Sequence, residues 1–192
     1  MSRWFDFSQP EYQLQELGRL RMLWRDVPDQ EAVNAIAEAH QYYSFLKDMI
    51  IGRLQSWSEV PAERPHWHTP NPLSLSTRAG AVSSSIVVGA SIVECAMRAH
   101  AENRNLKKLM KKDPKHRTFG SVIYAWENHG VHGPEITAIL PDLKRIHGKR
   151  NDIHLYASFG RTWEDVEAEE QNLVNSLERL LVFFQQLKPA KI

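Results

Sequence analysis

Apolar residues recur along most of this chain at intervals of three, four or seven, the period of a helix with one buried face. Leu14, Leu17, Leu20 and Trp24 keep that spacing, and Ser8 with Pro10 and Glu11 supplies a helix start before them. Val27-Pro28-Asp29 interrupts the pattern, and Asp29 is placed to cap a second helix. Val33, Ile36, His40, Tyr43, Leu46, Ile50, Leu54 and Trp57 trace one side of it, which predicts a long helix ending near 58–61. A third helix is predicted from Ser74 or Ser76, with Val82, Ile86, Val93, Met97 and His100 inward and Ala90 and Ala96 allowing close packing. Thr118 is placed to cap a helix over 119–129, whose buried side is Val122, Ile123, Ala125 and Trp126. Pro134 opens a short helix to Leu140. Thr162 with Asp165 resembles a capping box, and Leu173, Leu177, Leu180, Phe184 and Leu187 form the seam of a final helix, predicted to be the longest. No segment sustains period-two alternation, so no sheet is predicted. The expected fold is all-α: one domain over residues 1–192, an antiparallel helical bundle with three long helices plus shorter ones. A proline-rich loop at 58–73 interrupts it.

Composition adds little to that picture but closes several alternatives. Hydrophobic residues make up 42% of the 192 and charged residues 24%, ordinary for a globular protein with a sizeable core. The formal net charge is only +1, so any affinity for nucleic acid must come from a local patch. The single cysteine, Cys95, allows no intramolecular disulfide, which fits a reducing compartment; a cytoplasmic location is the expectation. The first residues carry no long apolar run, so no signal peptide is expected. The weakly polar run at 79–99 is broken by serines, Gly89, Glu94 and Arg98, which argues against a membrane span.

Three stretches carry candidate chemistry. His66 and His68 lie in the proline-rich loop, two apart, but no cysteine or paired carboxylate nearby completes a metal site, so no metal and no cofactor is expected. Residues 103–117 hold seven of the 24 Lys and Arg residues: Arg104, Lys107, Lys108, Lys111, Lys112, Lys115 and Arg117. Lys107, Lys108, Lys111 and Lys112 share one face of a helical turn, with Leu106, Leu109 and Met110 on the other. Such a face neutralises several phosphates, or is simply a solvated amphipathic surface. Glu94 and Arg98, four apart on the third helix, either pair on its surface or point toward a cleft.

The densest stretch is 145–156, with Arg145, His147, Lys149, Arg150, Asn151, Asp152, His154 and Tyr156. Arg150 and His154 are four apart and share a helix face, and Ile146 with Ile153 gives the segment an apolar anchor. A histidine transfers protons near neutral pH, and an arginine stays cationic and fits phosphate oxygens. Together they suit phosphodiester cleavage in RNA without a metal. The histidine takes the proton of a ribose 2′-hydroxyl, that oxygen attacks phosphorus, and the arginine stabilises the charge on the phosphate. Asn151 orients either side chain or binds phosphate, and Lys149 adds positive charge.

Arg150-Asn151-Asp152-Ile153-His154 resembles the signature of the HEPN superfamily, small all-helical proteins, many of them RNases of toxin–antitoxin and phage-defence systems. That signature is an arginine, then a polar residue, and a histidine after four to six intervening residues; here three residues intervene, and Lys149 stands at the spacing of four. The resemblance implies Arg150 and His154 as the catalytic pair, Asn151 as the polar residue, and a homodimer with a composite site. Tyr156, two after the histidine, is similar to a tyrosine that one toxin branch has modified by AMP transfer from a partner antitoxin, which makes a nucleotidyltransferase or other antitoxin a possible partner. The competing expectation is a non-catalytic helical module that binds nucleotide, RNA or a protein through the same cleft. In the plainest version Arg150 pairs with Asp152 or a glutamate of the last helix, and His154 is packed inside the bundle.

Overall fold

The computed structural model describes residues 3–5, 13–48, 54–56, 75–151, 160 and 162–190, with side chains described over 13–48, 79–150, 160, 162 and 164–190. The described chain is a helical bundle. Its helices are α1 (Leu17–Leu23), α2 (Gln30–Lys47), α3 (Leu75–Asn103), α4 (Lys107–Met110), α5 (Phe119–Glu127), α6 (Leu140–Asn151) and α7 (Trp163–Gln186). Two 3-10 segments, Pro114–His116 and Gly133–Ile139, precede α5 and α6. One small ribbon departs from the all-helical expectation. Strands β1 (Arg3–Phe5) and β2 (Leu54–Ser56) pair antiparallel, with Trp4 opposite Gln55. Three residues are too few for alternation to stand out in a sequence, and Leu54, expected on the second helix, lies instead in β2.

Helix α3 occupies the centre and packs on α2, α4, α5, α6 and α7. At 29 residues it, not the 24-residue α7, is the longest described helix. Val82, Ile86, Ala90, Val93, Ala96, Met97 and His100 are all buried, as the periodicity requires. Ile92 and Ala101 are buried as well, because neighbours cover α3 from several sides. Small residues let those neighbours approach. A Cβ at Gly89 would overlap the Leu177 side chain of α7, so glycine is what seats the α3–α7 seam. By length and composition the stretch Ala79–Asn103 is apolar enough to cross a membrane, with mean hydropathy 1.6, yet half of that window is buried inside the protein. It serves as the core helix.

The caps are legible locally. Asp29 Oδ1 accepts from the amides of Glu31 and Ala32 at 2.8 and 3.0 Å, which sets the start of α2. Thr162 and Asp165 form a reciprocal capping box on α7. Thr118 sits at the N-cap of α5, but its side chain makes no capping bond. The first helix is shorter than expected: 13–16 are not helical and Leu14 is 61% exposed, while Ser8 and Pro10 lie outside the described residues. Trp24 closes α1, fully buried, and donates to His40 Nδ1 at 2.9 Å.

The end of α3 decides where the lysine-rich segment goes. Asn105 adopts a left-handed backbone, φ 50°. The Leu106 amide donates to the Ala101 carbonyl at 3.1 Å and the Asn105 amide to that of Glu102 at 2.9 Å. This is the Schellman arrangement, which satisfies the orphan carbonyls at a helix end, and asparagine tolerates the left-handed residue better than most. It reverses the chain so that Leu106 and Leu109 enter the core, both fully buried.

Candidate functional site at the end of α6 and the lysine face

The focal helix α6 is anchored by Leu143 and Ile146, both fully buried. Its basic residues point in different directions. Arg145 donates to Asp142 Oδ1 at 3.2 Å and to Ser176 Oγ at 2.6 Å. Asp142 is also gripped by Arg179 through two bonds at 2.8 and 2.6 Å, and the Arg179 hydrogen bonds hold its carboxyl below the usual range. Lys149, expected to contact RNA, pairs with Glu169 of α7 at 2.9 Å and is only 15% exposed. These contacts fasten α6 to α7.

Arg150 points elsewhere. Its Nη1 meets Glu94 Oε2 of α3 at 2.5 Å, and its guanidinium lies 5.9 Å from the centroid of the Phe119 ring at the start of α5. Among the described residues its carboxylate partner is thus on α3 and not on the last helix; Asp152 lies outside the described residues. Two consecutive residues, Lys149 and Arg150, divide between α7 and α3 because a helix turns about 100° per residue. The Arg150 side chain remains 31% exposed, and one hydrogen bond leaves most of its five donors free of Glu94.

One turn earlier, His147 meets the same ring. Its imidazole stands edge-on to Phe119 with centroids 5.6 Å apart. A Cβ at Gly120 would fall 3.0 Å from His147 Nε2, so the missing side chain at 120 is what admits the imidazole. His147 is half-buried. Phe119 thus brings together two side chains three apart on α6, a general acid–base group and a permanent cation. The sequence signal was available, an i, i+3 pair opposite a Phe-Gly helix start, but it does not reveal which helix start would face α6.

Asn151 ends α6; its side chain, together with His154 and Tyr156, lies outside the described residues, as do His66, His68 and the 58–73 loop. Among the described residues no group of three or more His, Cys, Asp or Glu side chains is arranged to hold a metal ion.

Glu94 also borders a cleft of about 480 Å³ between the start of α2 and α3, lined further by Asp29, Ser91, Cys95, Arg98 and Glu102. Of the two alternatives for Glu94 and Arg98, the surface pair does not form, and both residues line this cleft. Arg98 bonds Glu102 at 2.9 Å, and Arg117 reaches the same carboxylate at 2.7 Å. Burial opposes ionisation of Glu102, but the two arginines outweigh it and hold its carboxyl below the usual range. Burial pushes the Cys95 thiol up, which keeps it protonated and unsuited to act as a nucleophile.

The seven cations of 103–117 separate into two groups. Arg104 is internal, with a side chain 4% exposed, bonded to Glu135 at 2.8 Å and to the Lys188 carbonyl at 2.8 Å. Arg117 is 10% exposed and held by Glu102. Lys107, Lys108, Lys111, Lys112 and Lys115 all face solvent. Of the expected apolar face, Leu106 and Leu109 are buried while Met110 is 40% exposed.

Comparison with family models, with characterised proteins and with solved structures finds no match to this chain.

Proposed function

We propose that this protein is a metal-independent endoribonuclease of the HEPN type, a homodimer acting as a toxin or antiphage defence effector. The observation that carries the reading is Arg150. Its guanidinium is held by Glu94 and Phe119 at the end of α6, yet stays partly open to solvent, four residues before His154 in the sequence. A cation fixed in advance stabilises charge developing on a phosphate without reorganising during the reaction. In this reading His154 takes the proton from the ribose 2′-hydroxyl, O2′ bonds to phosphorus, and the P–O5′ bond breaks. His147 returns a proton to the leaving 5′-oxygen. The products are a 2′,3′-cyclic phosphate and a 5′-hydroxyl end. Asn151 orients the phosphate, the α4 lysines bind flanking phosphates, and a second copy completes the cleft. Tyr156 is the place where a partner antitoxin would act.

Glu94 favours a second reading. It already neutralises Arg150, as expected for a helical module that binds nucleotide, RNA or a protein without cleaving it. RNA cleavage by the purified protein in EDTA separates the two. The nuclease reading expects cleavage to fall at least about a hundredfold in Arg150→Ala and in His154→Ala, the loss typical of removing one transition-state contact. Equal cleavage by all three proteins removes both residues from the mechanism. Tight binding with no product in the parent protein selects the module.

A further inference from the structure

Beside the lysines of α4 stands an aromatic residue that packing alone does not explain. Tyr124 of α5 is 55% exposed, although its neighbours Ile123, Ala125 and Trp126 are buried. Lys108 Nζ lies 4.9 Å from the centroid of its ring. Even with that ammonium over it, more than half of the residue meets solvent. Lys107, Lys111 and Lys112 flank Lys108 in sequence and make no ion pair among the described residues, while Lys115 has only a long contact to Asp113 at 3.9 Å. The segment 107–117 carries six cations and one carboxylate in a chain whose net charge is +1, so the remainder is net negative. Positive charge is concentrated in this segment, and one of its lysines lies over an open ring.

We infer that Tyr124 and the α4 lysines form a binding site for single-stranded nucleic acid, in which a base stacks on the Tyr124 ring and the adjoining phosphates pair with Lys107, Lys111 and Lys112. Stacking on aromatics inside a basic groove is how unpaired strands are held without reading sequence. A duplex offers no free base face to the ring. The same lysines do not make a membrane-surface helix, because the apolar side of α4 is already spent: Leu106 and Leu109 are fully buried in the core. The site is close to Arg150 along α5 but on another face, about 140° around the helix from Phe119. Phe119, which carries Arg150 and His147, precedes Tyr124 by five residues on α5, about 7.5 Å along the helix axis. The inference deepens the nuclease reading by naming an unpaired strand as the substrate form, and rests on that reading only for the cleavage that follows.

Binding is measured by fluorescence anisotropy with the full chain and a 12-nucleotide oligouridylate whose 2′-hydroxyls are methylated, so that it cannot be cleaved. The same measurement uses a duplex of equal length and phosphatidylserine vesicles. Tyr124→Ala is expected to weaken single-strand binding by about fivefold to a hundredfold, Tyr124→Phe to keep it, and neither to change duplex binding. Replacing Lys107, Lys111 and Lys112 together by alanine should flatten the dependence of log affinity on log salt by about 2. Tyr124→Ala binding like the parent, an unchanged salt slope, or vesicle binding without oligonucleotide binding each overturns the site. If cleavage is absent throughout but these binding changes appear, the nuclease reading fails and the strand-binding site stands.

Discussion

Two arginines in this protein are built alike and exposed differently. Arg104 lies 5.1 Å from the centroid of Trp126 and bonds Glu135; Arg150 lies 5.9 Å from the centroid of Phe119 and bonds Glu94. Both rings belong to α5 and are seven residues apart, so they share a face. The difference is access. Arg104 is 4% exposed and Arg150 31%. Around Arg104 every direction is closed: His100 Nδ1 stands 3.2 Å away, and the Lys188 carbonyl caps the far side. Lys188 itself pairs with Asp26 and Ala190 bonds Asn103, so the tail after α7 is pinned across the end of α3. Arg104 is a staple. The same residue type in the same local design, left open on one side, is a group that can meet a ligand.

The largest expected effect breaks the pair apart on stability. Arg104→Met should cost about 3 kcal/mol in urea unfolding, because it leaves a buried network short of its cation. Arg150→Met should cost under about 1 kcal/mol, as partly exposed ion pairs do. Equal losses would erase the distinction drawn here.

Acid should find the Arg104 side first. His100 is fully buried, its Nε2 has no hydrogen-bond partner among the described residues, and burial with the nearby Arg104 charge lowers its pKa to about 4. Between about 4 and 6.5 the unfolded chain therefore holds a proton at this residue that the folded protein lacks. Stability is fully present above 6.5 and falls as pH drops through that window, by up to about 3 kcal/mol. Burial lowers the pKa of His40 too, which adds in the same direction, whereas Glu102 and Asp142 lose their contributions only below 4.5. The slope of stability against pH between 4.5 and 6.5 should flatten in His100→Leu without vanishing. An unchanged slope would show that His100 is not the group responsible.

A smaller effect tests the rings. Trp126 donates to the Met97 carbonyl at 3.3 Å as well as facing Arg104, so Trp126→Phe should lower stability by about 1–2 kcal/mol. The smallest is expected at Glu94. Glu94→Gln keeps the shape and removes the charge beside Arg150, and thermal unfolding should shift by no more than a degree or two. A large drop would mean that the Glu94–Arg150 pair is a second staple, and the nuclease reading would lose its main support.

Much of this architecture was readable from periodicity and caps, because both act over a few residues. Asp29, the Thr162–Asp165 box, the inward face of α3 and the α7 seam all rest on spacing and short-range hydrogen bonds. The strand at Leu54–Ser56 was not, since helical spacing over 50–57 says nothing of its pairing with Arg3–Phe5. A ribbon between segments fifty residues apart is a tertiary fact.

For the site, the chain by itself supplied the inventory: an arginine with a polar neighbour and a histidine on one stretch, a run of lysines, and no cluster of metal ligands. Tertiary structure decided how each charge was used. It turned Arg104 and Arg117 inward, gave Lys149 to Glu169 and Arg150 to Glu94, and set His147 beside Arg150 on Phe119. Charge and residue type are properties of single positions. Partner and exposure depend on which helix lies opposite, and that is fixed only when α3, α5, α6 and α7 pack together.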